Sequence, residues 1–98
     1  VCGGLELPDP EGGELVQTAL RESGGGAVAT DDDDILESAV ATASREGVEM
    51  GVSAAAGASA AWSMADEFDE NATVVLVNTS TGSKDADLLR SHLMGQGF

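Results

Sequence analysis

Val74-Val75-Leu76-Val77 is a run of four bulky apolar side chains, three of them β-branched. It is too short to make the apolar stripe of a helix and reads as a strand buried on both faces, as in a parallel sheet. Asn78, Thr79, Ser80, Thr81, Gly82 and Ser83 then bring hydroxyls, a side-chain amide and a flexible backbone position to the carboxyl end of that strand. Open parallel α/β sheets bind ligands there, although an ordinary strand-to-helix turn uses the same residue types.

The rest of the chain alternates around this run. Residues 1–7 read as extended, and Pro8 and Pro10 break regular structure, with Asp9-Pro10 a cap and first-turn pair for a helix. That helix carries the stripe Leu15, Val16, Ala19 and Leu20 and ends by Ser23, before Gly24, Gly25 and Gly26. Ala27-Val28-Ala29 predicts a brief strand. Thr30 predicts a cap for a second helix, with Asp33 reaching back in a capping-box arrangement. Asp31 to Asp34 suit the positive end of that helix; as a cation site they lack the interleaved spacing and glycine of a calcium loop. Ile35, Leu36, Ala39, Val40 and Ala43 give the helix its buried face, and Gly47 stops it. Residues 48–52 read as another short strand, and Ser53 as the cap of a smooth helix of alanine, glycine and serine that ends near Trp62 and Met64. Residues 66–71 form a charged connection, and Leu88, Leu89, His92 and Leu93 repeat at helical spacing. Helix and strand alternation over residues 1–98 predicts one α/β segment with a mostly parallel sheet.

Composition narrows the partners. The net charge is −14, with Arg21, Arg45, Lys84 and Arg90 the only cations. Such a chain lacks the basic footprint that nucleic acids and anionic membrane surfaces require. Acidic residues in every segment suit a halophilic protein, soluble in concentrated salt where self-repulsion is screened. The core is thin, so a chain of 98 residues either folds marginally or packs against something larger. Cys2 is a single cysteine that allows no internal disulfide and reads as a small buried residue. With no signal peptide or long apolar run, the expected location is cytoplasmic. His92 has no second histidine and reads as a packing residue. Gly82-Ser83-Lys84 has the end of a phosphate-binding loop but not its first glycine, since Val77 stands there.

Five stretches in order, covering essentially the whole chain, resemble the carboxyl-terminal part of threonine synthase of a haloarchaeal type, a pyridoxal-phosphate enzyme of the tryptophan-synthase-β fold group. They are residues 1–25 (Cys-Gly-Gly-Leu-Glu-Leu-Pro-Asp-Pro, then Ala-Leu-Arg-Glu-Ser-Gly-Gly), residues 27–47 (Ala-Val-Ala-Thr-Asp-Asp-Asp-Asp-Ile-Leu-Glu-Ser-Ala and Arg-Glu-Gly), the Ser-Ala-Ala-Ala helix, the strand, and the Asn-Thr-Ser-Thr-Gly-Ser-Lys-Asp loop. Threonine dehydratases and cysteate synthase-like enzymes are the nearest competitors.

The resemblance implies the carboxyl-terminal portion of a three-layer α/β/α domain and a lyase that converts O-phosphohomoserine and water to threonine and phosphate. The family motif Thr-Gly-X-Gly-X-Lys-Asp places its threonine hydroxyl against the pyridine nitrogen of pyridoxal phosphate. Thr79 matches that threonine, Ser80 replaces the first glycine, Gly82 matches the second, and Lys84-Asp85 match the end. Thr79, Ser80 and Gly82 are thus the implied cofactor contacts, with no catalytic residue and no metal ligand. A hydroxyl partner leaves the ring nitrogen largely unprotonated and moderates the electron sink. The family's Glu-Pro-X-Ser stands here as Gly51-Val52-Ser53-Ala54, losing the acid and the later hydroxyl. Its Schiff-base lysine and phosphate loop lie upstream, and Lys84 matches neither. The implied partners are an amino-acid substrate and the upstream part of the same enzyme, and a homo-oligomer is compatible with it; the segment alone is expected to be inactive. The alternative is a stand-alone, non-catalytic acidic remnant that binds a partner or a small anion through the loop.

Overall fold

Glycine ends two of the helices that periodicity predicts. In the computed structural model, which describes residues 1–95, α1 (Gly13–Ser23) stops at Gly24 with φ 72° and α2 (Asp32–Glu46) at Gly47 with φ 69°. Both glycines adopt the left-handed conformation that other residues resist, which closes the last helical turn. Two more helices follow, α3 (Val52–Ser63) and α4 (Ala86–Gly95), with 3₁₀ turns at Gly3–Leu5, Ala65–Glu67 and Gly82–Asp85.

The core lies where α2 meets α3. Ile35, Leu36 and Ala39 of α2 pack with Val52, Ala54, Ala55 and Ala58 of α3 and with Met50 just before it. Alanine on α3 lets the α2 side chains approach its backbone closely, the use of small residues expected of a smooth helix. Leu89 of α4 and the terminal pair Val1 and Cys2 pack against the edge of this cluster. Cys2 is half-buried, and its thiol donates to the Val52 carbonyl at 3.5 Å. His92 is half-buried on α4, in a shallow hollow with Glu37 and Val40 of α2. The stripe of α1 finds no cover: Leu15 and Val16 are exposed, and none of its residues is buried.

Several boundaries differ from expectation. Helix α1 begins at Gly13 behind a left-handed Gly12, beyond Asp9-Pro10. Asp31, not Thr30, is the N-cap of α2, and no side-chain cap or capping box forms. Helix α3 starts one residue before the expected cap Ser53, so Val52 is helical, not part of a strand. Residues 3–5 form a 3₁₀ turn in place of extended chain.

The larger correction concerns the sheet. No strand forms among the described residues; the single β-bridge is antiparallel, between Met50 and Thr81. Val75 and Val77 are 81% and 76% exposed and Val74 and Leu76 about half as much, so residues 74–77 are not buried on both faces. Their alternation is nonetheless that of extended chain, with every second side chain turned one way. Val74 and Leu76 face the helices and line a groove of about 470 Å³ with Ala58, Ala61, Trp62 and Phe68. A sheet is a property of paired strands, and among the described residues the run has no neighbour to pair with.

Candidate functional site

The loop after residue 77 is held against the start of α3 by contacts from several of its residues. The Gly51 amide donates to the Ser80 carbonyl at 2.9 Å, and the Gly82 amide donates to the Glu49 carbonyl at 3.0 Å, on either side of the Met50–Thr81 bridge. Both glycines sit at close approaches, and the one at Gly51 leaves no room for a side chain. A Cβ on Gly82 would lie 3.2 Å from the Met50 carbonyl oxygen, and one on Gly51 would overlap Ser80 Oγ and stand 2.9 Å from Ser80 Cβ. A side chain at Gly51 would collide with that of Ser80, whereas one at Gly82 would crowd Glu49 and Met50 by a few tenths of an ångström.

A side chain adds the next tie. The N-cap of α3, Gly51, has no side chain with which to satisfy the first helical amides. The buried Asp85 does so from across the loop: its Oδ2 accepts from the Val52 amide at 2.8 Å. Lys84 Nζ bonds both carboxylate oxygens, at 2.9 and 2.8 Å. Burial of Asp85 raises its pKa, but the Lys84 and Val52 hydrogen bonds and the Lys84 charge outweigh that and hold the carboxyl below the ordinary aspartate value. Within the loop, Thr81 Oγ1 accepts from the Ser83 amide at 3.4 Å and lies 3.1 Å from Ser83 Oγ, which starts the 3₁₀ turn.

The three implied contact residues therefore differ in setting. Thr79 is exposed at the end of the extended run. Ser80 turns inward: its hydroxyl is buried against Gly51 and has no hydrogen-bond partner among the described residues. Gly82 is buried, and its role in the structure is the close crossing over Glu49 and Met50. Asp85 is the residue that motif reading undervalued. No periodicity marks a carboxylate that caps a helix 33 positions earlier; the only hint is a helix start, Gly51-Val52, with no capping side chain of its own.

Of what a pyridoxal-phosphate site requires, the described residues offer one exposed hydroxyl-bearing residue, Thr79. Lys84, the only lysine, is bound to Asp85, and the first amide of α3 is taken by the same carboxylate. Neither an imine-forming amine nor a phosphate cradle is available among the described residues. No grouping of three or more histidine, cysteine or acidic side chains among them could hold a metal ion, and no described helix is long and apolar enough to cross a membrane. Comparison with protein families, characterised proteins and solved structures finds no match for the chain.

Proposed function

We propose that residues 1–98 are the carboxyl-terminal segment of a threonine-synthase-like enzyme, contributing one wall of a pyridoxal-phosphate site through Thr79. The observation that carries this reading is the meeting of the two motif regions. Residues 49–52 and 80–85 lie far apart in sequence and form one hydrogen-bonded unit. Two of the positions that depart from the family patterns, Gly51 and Ser80, face each other: the side chain absent from one is replaced in space by the side chain gained at the other. Compensation of that kind is expected of a shared ancestral site.

The uncovered surfaces support the same reading. Val75 and Val77 on the outer side of the extended run, and Leu15 and Val16 on α1, are exposed apolar groups that a larger domain would bury. In the intact enzyme the run becomes a strand of a three-layer α/β/α domain, paired with strands from upstream. The cofactor supplies the electron sink for replacement of phosphate by water on O-phosphohomoserine. The part of this chain is to present Thr79 to its ring nitrogen, while the amine and the phosphate cradle come from the upstream residues.

The test uses the full polypeptide that carries this segment, purified in molar salt. It should be several times larger than the 9.8 kDa of residues 1–98, bind pyridoxal phosphate and form threonine from O-phosphohomoserine. Thr79→Val should lower turnover on the order of tenfold while leaving the fold intact, the loss of one hydrogen bond to the cofactor. A native polypeptide near 10 kDa, or unchanged turnover in Thr79→Val, would sink the assignment.

A further inference from the structure

Among the described residues, Asp85 supplies the only side-chain bond between the loop and α3. Ser83 and Thr81 bond one another within the loop, and the Gly51–Ser80 and Gly82–Glu49 bonds are backbone to backbone. Its acceptor oxygen meets the amide of Val52, whose side chain is the most thoroughly buried of the larger ones. The loop is thereby tied to the part of the fold least able to move. Lys84 lies on the same side of the crossing as Asp85, so its ammonium orients the carboxylate without bridging to the helix itself.

We infer that Asp85 is a positioning residue of the candidate site, locking the loop onto the N-terminus of α3 and so fixing where the Thr79 hydroxyl is presented. The inference rests on the reading of Thr79 as a cofactor contact. Asp85 is not offered as a cofactor contact: its carboxylate is buried and already engaged by Val52 and Lys84. Without it the Val52 amide would be left buried and unsatisfied, and the loop would be held by its two backbone bonds and the bridge alone. Asn at this position keeps an acceptor for the Val52 amide but loses the attraction of Lys84, whereas Ala loses both.

Two readouts on the full polypeptide separate this inference from the site reading. The first is amide hydrogen exchange. Asp85→Ala should speed exchange across residues 49–52 and 79–83 by about tenfold, the effect of a lost helix cap, and Asp85→Asn by less, with the Ala39 region of α2 unchanged. The second is equilibrium binding of pyridoxal phosphate. Asp85→Ala should weaken it, and the same change made in a Thr79→Val background should add little, because the contact that Asp85 positions is already gone. Unchanged exchange, or effects of the two substitutions that simply multiply, would overturn the inference. If the unsubstituted polypeptide binds no pyridoxal phosphate, the reading of Thr79 falls, and the exchange data alone decide whether Asp85 locks the loop. Should Asp85→Ala fail to fold, Asp85→Asn carries both measurements.

Discussion

Gly51 and Ser80 face each other where the two halves of the candidate site cross, and their fit is a matter of single atoms. A methyl group on Gly51 would overlap Ser80 Oγ and press on Asp85 Oδ2 at 3.0 Å, so Gly51→Ala forces the crossing apart. Overpacking of this kind costs about 1–3 kcal/mol. Ser80→Gly removes the obstructing atoms, and with them a buried hydroxyl that has no partner among the described residues. The double variant Gly51→Ala/Ser80→Gly should therefore recover most of the lost stability, a coupling that a double-mutant cycle of urea midpoints in molar salt would measure. Additive losses would mean that the two residues do not share the space. Sequence reading reached this site unevenly. It singled out the hydroxyl-rich loop and the missing first glycine of a phosphate-binding loop, because those inferences depend on local spacing; setting Lys84 apart from a Schiff-base role rested on the resemblance alone. It did not reach the Asp85–Val52 cap or the inward turn of Ser80, because both arise from a crossing of distant segments.

Helices were legible where their signals were local. The spacing of Ile35, Leu36 and Ala39 marks the buried face of α2, and Gly24 and Gly47 stop α1 and α2 where expected. Strands were not, since a run such as residues 74–77 becomes a strand only when another pairs with it. The run keeps the period of a strand, with Val74 and Leu76 toward Trp62 and Phe68 and with Val75 and Val77 outward. That asymmetry makes a sharp prediction. In the isolated 98-residue chain, Val75→Thr/Val77→Thr should change stability by less than about 0.5 kcal/mol per site, as for exposed positions, and should reduce aggregation at the bare edge. If the proposed upstream residues cover the run, the same pair in the longer polypeptide should cost about 1–3 kcal/mol per site, because there the two valines would be buried. Chemical denaturation of both proteins checks this. Equal, small effects in the two would mean that the upstream residues do not cover the run.

At the scale of the whole molecule, charge opposes what the core provides. The buried cluster has eight residues, four of them alanine, while every acidic side chain except Asp85 is exposed. Few favourable pairs offset the repulsion. The terminal ammonium of Val1 lies 3.0 Å from Asp32, Lys84 is committed to Asp85, Arg90 lies 3.6 Å from an exposed Asp87, and Arg21 bonds the Gln17 amide oxygen at 3.2 Å. Salt weakens exposed attractions and repulsions alike, so its net effect follows whichever is more numerous. Here that is repulsion, concentrated at Asp31 to Asp34 and along residues 66–70. Raising potassium chloride from about 0.1 M to about 1 M shortens the screening length from about 10 Å to about 3 Å. Relief on the order of 1 kcal/mol would raise the melting temperature of a domain this size by about 4–8 °C. Neutralising Glu67 and Glu70 as Gln, which leaves the helix-favouring aspartates at the start of α2 in place, should raise the midpoint at low salt and flatten the salt dependence, since part of the repulsion being screened is then gone. A midpoint that is flat or falls with salt would instead mean that the few ion pairs outweigh the surface repulsion, and that the acidic composition is not an adaptation to concentrated salt.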